Sequence, residues 1–408
     1  MRLNNIINKE IRNIKNDNLY YIFLFCLALF PTNTKFLYIN FFIALFLLLK
    51  ILLIKKFKLT FSPIHAIFFL FINYLLFLSI IISISDGEII EELVRNIYYL
   101  LLLIIASNTI VTFNRIYLMA KILLIFNFTI QIFQYFKLFN INDYIMWIYG
   151  GYWKFLNTTR FTDLQFFRSG SIYLNSNIYS KIAITFLIIF LQNIIFNHKK
   201  IDYIYILISI FSIILCGSRI GGVLLFITFI VFFWIVSTGI YRKVLYLFVS
   251  VIVSFILIVF IKVRAFNIFN DFVSSSSSLG YKLGVIRNYI FEIDFFNILF
   301  GSSPNISIPF DSEIGYLFGW YGVAGLLLFF LIIVFILEKG KNTNNNFFYI
   351  SFGLMILFNS ITGGLILNIK LFPFILSIIY VNKFVNKFQI NNNKSATLKI
   401  NNSNIKMD

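Results

Sequence analysis

The stretch from residue 314 to residue 337 reads IGYLFGWYGVAGLLLFFLIIVFIL and contains no charged side chain. As an α-helix it would be about 36 Å long, which exceeds the hydrocarbon thickness of a bilayer. Similar apolar runs, each bounded by Lys, Arg, Asn or Pro, cover residues 19–33, 36–53, 64–84, 96–113, 116–136, 171–196, 201–217, 220–238, 244–261, 347–364 and 369–382. Because unpaired backbone groups are too costly in lipid, the runs predict an all-α polytopic membrane protein with about twelve transmembrane helices. Eleven or thirteen helices remain open, since the first and last runs are short and Thr362–Gly364 could break the run that contains it.

The composition supports this class. Of the 408 residues, 60% are hydrophobic and 12% are charged, and the mean hydropathy is +0.89. Soluble domains carry roughly 45–50% apolar residues, so a soluble enzyme, a disordered scaffold and a disulfide-stapled secreted domain are excluded. We predict one transmembrane domain over residues 1–386 and a polar cytoplasmic tail over residues 387–408. Cys26 and Cys216 lie in separate apolar runs, so we expect them to be packing residues.

The basic residues predict the orientation. A formal net charge of +18 would suggest nucleic acid on a soluble chain. Here the Lys and Arg residues lie between apolar runs, so we predict no nucleic-acid partner and contacts to anionic membrane lipid instead. With the N-terminus inside, most basic residues fall in inner segments and most acidic residues in outer ones. We therefore predict that both termini are cytoplasmic.

This topology leaves two long loops outside, residues 137–170 and 262–313. Long loops among short connections usually carry function. In the second loop, the serine run Ser274–Ser278 is typical of a flexible hinge or lid. The apolar spacing from Leu279 to Ile290 predicts an amphipathic surface helix. We find no internal repeat and no matching pair of broken helices of the kind that indicates an inverted-repeat transporter.

The absent motifs limit the chemistry. Both histidines, His65 and His198, fall in inner segments, where we expect them to be solvated, so an outer site has no imidazole. The sequence contains no Walker loop and no dinucleotide fingerprint. Any reaction would therefore use a substrate that is already activated, and we predict neither a metal nor a cofactor. Glu292 and Asp294 could hold Mg²⁺, but we interpret them as surface charges.

Three arginines are candidate anion ligands on the outer side. Arg168 lies where the first long loop returns to the membrane, Arg219 lies in a short hairpin, and Arg287 lies in the second long loop. Guanidinium groups bind phosphate bidentately and keep their charge when partly desolvated, which suits a lipid diphosphate. The alternative is that each arginine reaches headgroups or pairs with a loop acid. Arg264 is a weaker candidate for the same role.

Two carboxylates, Asp311 and Glu313, immediately precede the 314–337 run. A carboxylate near the low-dielectric boundary could deprotonate a sugar hydroxyl. Alternatively, the two residues stabilise the helix start, where Asp is a good cap and negative charge is favourable.

Two interpretations are possible for Lys181, and two for a group of aromatic residues in the first long loop. If the sixth helix begins at Ser171, Lys181 is deep and faces a polar cavity. If the helix begins nearer Asn177, the lysine reaches the membrane surface, and we favour this second arrangement. The aromatic residues are most simply interpreted as a belt at the membrane interface, and sugar stacking is the alternative. They are Trp147, Tyr149, Tyr152 and Trp153.

Four short motifs, taken together, carry a family resemblance. They are RSGSIYLNSN at 168–177, SRIG at 218–221, FGSSP at 300–304 and DSEIGYLFGWYGVAG at 311–325. In this order and topology they resemble the O-antigen polymerase (Wzy-type) and O-antigen ligase superfamily, over residues 1 to about 385. Ser302 stands where the family usually has a second glycine. Ligases typically carry a histidine in the region of Asp311 to Glu313, and its absence here favours a polymerase.

The resemblance implies a glycosyltransferase on the outer face of the bacterial inner membrane, with undecaprenyl-diphosphate-linked glycans as donor and acceptor. Arg168, Arg219 and Arg287 would bind the diphosphate, while Glu313 or Asp311 would be the base. Diphosphate is already a good leaving group, so neither a nucleotide nor a metal is required. The further candidates for glycan binding are Asn175, Asn177 and Trp153.

The sequence is also compatible with other functions. An O-antigen ligase differs only in its acceptor, whereas a lipid flippase or other transporter would need charges or broken helices at mid-membrane. A membrane scaffold would not need arginines at the outer ends of its helices. A chain-length regulator protein is the further partner that the polymerase interpretation adds.

Overall fold

The computed structural model describes thirteen α-helices, two short 3-10 helices and two short strands. The described residues are 18–29, 34–54, 63–86, 90–109, 111–149, 169–173, 176–197, 199–236, 239, 294–301, 313–341, 346–362 and 372–383. The first helices are α1 (Asn18–Leu29), α2 (Thr34–Ile54), α3 (Pro63–Asp86), α4 (Ile90–Asn108), α5 (Phe113–Tyr135), α6 (Ile141–Tyr149) and α7 (Ser176–Asn197). The others are α8 (Asp202–Cys216), α9 (Arg219–Val236), α10 (Phe295–Phe300), α11 (Glu313–Lys341), α12 (Asn346–Thr362) and α13 (Phe372–Ile379). The 3-10 helices are Leu138–Asn140 and Ser171–Tyr173, and the strands are β1 (Val111–Thr112) and β2 (Val381–Lys383).

Helices occupy eleven of the twelve predicted apolar runs, and the run 244–261 lies outside the described residues. Four helices are long and apolar enough to cross a bilayer, by length and composition: Pro63–Ile81, Phe113–Tyr135, Ser176–Asn197 and Glu313–Gly340. Shorter apolar helices of 10–17 residues accompany them. The chain is therefore a helical membrane protein, while twelve crossings and their orientation stay predictions.

One predicted helix boundary is wrong and another is confirmed. The run expected at 96–113 is a helix from Ile90 to Asn108, because two acidic residues, Glu91 and Glu92, occupy the first turn, where negative charge is favourable. Of the two starts considered for the run 171–196, the favoured one near Asn177 is confirmed, because the helix begins at Ser176.

The middle of the bundle is α7. Its residues from Tyr179 to Ile194 are all buried, as expected for a helix that is apolar on every side and surrounded by others. It packs against α5, α8, α9 and α12. A second group of contacts joins α11 to α3, α10 and α12, and α4 to α2 and α3.

A small parallel sheet joins distant parts of the chain at one end of the bundle. Val111 pairs with Val381 and Thr112 with Lys383. The imidazole of His65, near the start of α3, stacks on Tyr380 with 4.1 Å between ring centroids. His65 is half-buried, so the expectation that it is solvated is wrong. We call this the sheet end, defined by β1 and β2, and the opposite end, where α3 finishes and α4, α7 and α11 begin, the far end.

The two cysteines are free thiols, as expected of packing residues. Cys216 is buried at the end of α8, and Cys26 is half-buried in α1. The amide nitrogen of Gln131 lies 3.5 Å from the Cys216 sulfur. Cys216 therefore serves the packing of the bundle, as the sequence predicted.

Candidate functional site

The segment that follows Arg168 is anchored at the far end. The backbone N–H of Ser169 donates to the carbonyl oxygen of Leu215 at 3.1 Å, and the Ser169 hydroxyl donates to Oε1 of Gln134. The backbone N–H of Ser171 donates to the same Oε1 at 3.1 Å. The segment is thus tied both to α5 and to the end of α8. Arg168 itself lies outside the described residues.

Two buried amides on α5, Asn127 and Gln134, hold this segment, and a third, Gln131, binds α8. The Ser171 hydroxyl donates to Oδ1 of Asn127 at 2.7 Å, and Gln131 Nε2 donates to the Ser212 carbonyl at 3.1 Å. Ser171 has φ 51, a left-handed conformation that a residue other than glycine keeps only when its surroundings enforce it. The site residues predicted from the sequence do not include Asn127, Gln131 and Gln134. Their i, i+4, i+7 spacing in an apolar run was the available signal, because it puts three amides on one helix face.

The hairpin between α8 and α9 has well-defined ends. Gly217 is left-handed at φ 56 and terminates α8, with its N–H on the Ile214 carbonyl at 2.9 Å, the usual use of glycine after a helix. The N–H of Gly221 donates to the Ser218 hydroxyl at 3.3 Å, which makes Ser218 the N-cap. Arg219 is therefore the first residue of α9, and its side chain lies outside the described part of the structure.

The starts of α7 and α9 are in contact. The Ser218 hydroxyl donates to Oδ1 of Asn177 at 2.8 Å, and Asn177 is exposed. A Cβ on Gly221 would lie 2.9 Å from Cβ of Ser180, so this close approach requires a glycine. Two predicted site positions, Asn177 and the backbone of Arg219, thus lie side by side, and Leu215 connects them to the segment after Arg168.

A second polar cluster links α3, α4 and α11. Asn96 Nδ2 donates to the Ser79 hydroxyl at 2.6 Å and to the Tyr321 hydroxyl at 3.2 Å. The Tyr74 hydroxyl donates to the Tyr321 carbonyl at 2.8 Å. Ser79, Asn96 and Tyr321 are each at most 1% exposed. A buried and connected set of hydrogen bonds of this kind fixes three helices relative to one another.

Glu313 is the first residue of α11 and is 2% exposed. One turn later, the Tyr316 hydroxyl accepts a hydrogen bond from Nη2 of Arg95. The Arg95 Cζ atom also lies 5.2 Å from the centroid of the Tyr316 ring, within the range of a cation–π contact. Arg95 is not among the residues that the sequence predicted for the site. Its neighbour Asn96, a second polar residue at the start of an apolar run, was the available signal.

The third and fourth motifs of the resemblance meet where α11 is kinked. Gly322 has φ 63 and ψ −167 inside α11, and Gly301, directly after α10, has φ 91. A Cβ on Gly301 would lie 2.1 Å from the Trp320 carbonyl oxygen. The two backbones therefore touch, and α10 lies against the kink.

Two charged residues, Lys181 and Asp294, differ in their surroundings. Lys181 is 3% exposed although its helix begins at Ser176, so the prediction that it reaches the membrane surface is wrong. The reason is that α7 is enclosed by other helices at this level. Asp294 is exposed and precedes α10 without a side-chain cap hydrogen bond, consistent with a surface charge.

Several predicted site residues lie outside the described residues. They are Arg168, Arg287, Asp311, Asn175 and Trp153, together with the weaker candidates Arg264 and Glu292. Within the described ranges, no group of three or more His, Cys, Asp or Glu residues is arranged to hold a metal ion. The helix α12 packs against both α9 and α11, so it links the Ser218 region to the helix that starts with Glu313.

The chain's sequence matches no protein-family model and no curated protein sequence. The far end nevertheless combines groups with complementary chemistry. It has a helix start that favours anions at Arg219. It also has a buried carboxylate, Glu313, three residues before Tyr316, whose hydroxyl binds the guanidinium of Arg95. Such groups can bind an anionic headgroup and accept a proton.

Proposed function

We propose that the chain polymerises undecaprenyl-diphosphate-linked oligosaccharide repeat units, as in O-antigen, capsule or exopolysaccharide synthesis, on the outer face of the bacterial inner membrane. The observation that carries the proposal is the contact between the segment after Arg168 and the last turn of α8, four residues before Arg219, through Ser169 and Leu215. Two arginine motifs that are about 50 positions apart in the sequence thereby converge at one end of a membrane bundle, as a shared diphosphate ligand set requires.

The reaction is a single displacement. The hydroxyl of the acceptor's non-reducing sugar attacks C1 of the donor glycan, and a new C1–O bond forms. The bond between C1 and the diphosphate oxygen breaks, and undecaprenyl diphosphate leaves with the bonding electrons. The hydroxyl proton passes to a carboxylate of the protein.

The arginines would stabilise the charge that grows on the departing diphosphate. Arg219 is suited to this because it is the first residue of α9, where the helix dipole also favours an anion. Arg168 and Arg287 complete the proposed ligand set. Asn175, Asn177 and Trp153 are the proposed glycan contacts.

Glu313 is the preferred base, and Asp311 is the second candidate. Glu313 is buried at the start of a helix whose first turn also carries the Tyr316 contact to Arg95. A carboxylate in such a place is shielded from bulk water, which favours proton transfer from a bound hydroxyl.

The test uses the full chain, purified into liposomes, with synthetic undecaprenyl-diphosphate repeat units as the only glycan and EDTA present. We expect a ladder of glycan multimers on a gel, confirmed by mass spectrometry. A product that forms only when lipid A core is added would show that the chain is a ligase and not a polymerase. Movement of the lipid-linked unit across the bilayer without any multimer would show that the chain is a transporter.

A further inference from the structure

We infer that Arg95 is a positioning residue for Glu313: its guanidinium, held by Tyr316, fixes the orientation of the carboxylate at the start of α11. This inference rests on the proposed function, in which Glu313 is the base.

The helix geometry brings the two charges together. Tyr316 follows Glu313 by three residues, so their side chains share a face of α11. Side chains in a helix lean toward its N-terminus, and the long Tyr316 ring therefore extends over the turn that contains Glu313. Nη2 of Arg95 donates to the hydroxyl at the tip of that ring. The guanidinium of Arg95 thus lies at the level of the Glu313 carboxylate.

Burial gives a reason for the arrangement. Glu313 is 2% exposed, and a buried carboxylate is strongly destabilising unless a cation or hydrogen-bond donors compensate it. Arg95 is half-buried and keeps its charge in such surroundings. A planar guanidinium can hold both the Tyr316 hydroxyl and a carboxylate oxygen, because its N–H groups point in several directions in one plane.

The guanidinium is itself fixed from two sides. The next residue, Asn96, is bonded to Ser79 and Tyr321, which immobilises this turn of α4 against α3 and α11. The Tyr316 ring stacks on Trp320, with 5.4 Å between centroids and 25° between planes. Arg95 therefore has little freedom to move away from the start of α11, as a positioning residue requires.

The test compares Arg95→Gln, Arg95→Lys and Tyr316→Phe in the multimer assay, with kcat and KM measured separately. We expect Arg95→Gln to lower kcat about tenfold or more, with KM within about twofold, since the loss concerns one charge-assisted contact and not substrate binding. Arg95→Lys should recover part of the loss because it keeps the charge without the planar fork. Tyr316→Phe removes a single hydroxyl from the fold and should lower kcat by a smaller factor in the same direction.

Arg115 supplies the matched control at the sheet end. It also donates to a neighbouring side chain, Asn18, and its Cζ lies 5.1 Å from the Tyr21 ring centroid. We expect Arg115→Gln to keep kcat unchanged while it lowers thermal stability about as much as Arg95→Gln does.

A double-mutant cycle separates this inference from the proposed function. In the Glu313→Gln background, Arg95→Gln should lower kcat less than twofold further, because the group that it positions is absent. Three results would each overturn the role of Arg95. The first is an equal, additive loss of kcat in the Glu313→Gln background. The others are an unchanged kcat in both Arg95→Gln and Tyr316→Phe, and an effect on KM alone. Full turnover of Glu313→Gln itself would instead overturn Glu313 as the base, and is recognised from that single variant. If Arg95→Gln fails to accumulate in the membrane, a double-mutant cycle of Tyr316→Phe with Glu313→Gln tests the positioning role in its place.

Discussion

Gly301 and Gly322 touch through their backbones, with space for no side chain on either residue. A Cβ on Gly322 would lie 2.4 Å from the Leu299 carbonyl oxygen, and one on Gly301 would lie 2.1 Å from that of Trp320. The contact holds the short helix α10 against the kink in α11, while Tyr74 binds the carbonyl of Tyr321 beside it. Residues 294–301, the described part of the second long loop, are therefore fixed to the helix that begins with Glu313.

This contact gives the first prediction. Gly322→Ala should lower the free energy of unfolding by more than about 1 kcal/mol, because it adds a clash to an unfavourable positive φ. The measurement is thermal stability of the detergent-solubilised chain. Gly222→Ala is the matched control: a Cβ there meets nothing within 4 Å, and the change should stabilise α9 by about 0.5–1 kcal/mol. Equal stability of the two variants would contradict the backbone contact.

Helix positions were predictable from the sequence because the length of an apolar run decides them. The pairing of β1 with β2 was not, since two or three residues carry no periodic signal and their partners are about 270 positions apart. The kink at Gly322 was not predictable for a related reason, because it lies against Gly301, which belongs to another segment. The sequence also could not tell that Lys181 and Arg95 face other helices, because composition does not show which side of a helix meets lipid.

The hairpin before α9 gives the second prediction. Ser218→Ala removes the cap of α9 and the hydrogen bond to Asn177, so it should cost about 0.5–2 kcal/mol of stability. Ser218→Thr keeps the hydroxyl and should cost less. Thermal unfolding of both variants measures the difference, and an unchanged melting temperature in Ser218→Ala would argue against the capping role.

The orientation of the bundle is a third prediction. Reporter fusions after Lys154 and Ser276 should be outside, and fusions after Lys200 and Lys341 should be inside, because basic residues mark the cytoplasmic side. Paired alkaline phosphatase and fluorescent-protein fusions measure this directly. A cytoplasmic Ser276 would separate the far end from its proposed substrate.

The fourth prediction concerns the geometry of the charge at Arg219. Arg219→Lys should lower polymerisation about tenfold or more, since a point charge cannot reproduce a bidentate fork on diphosphate. Arg115→Lys, at the sheet end, should keep the activity. Multimer ladders from equal amounts of folded protein provide the comparison. Wild-type activity in Arg219→Lys would rule out the diphosphate ligand role.

The last prediction separates proton transfer from helix stabilisation at the start of α11. Glu313→Gln is isosteric and should leave the fold and donor binding intact, yet lower turnover by about 10²-fold or more, the usual contribution of a general base. Asp311→Asn should cost less if that residue only caps the helix, because Asn is as good a cap as Asp. Turnover and donor affinity are measured on the same preparations in EDTA. If Asp311→Asn lost more turnover than Glu313→Gln, the base would be Asp311, and the buried Glu313 would serve the start of the helix, where its negative charge is favourable.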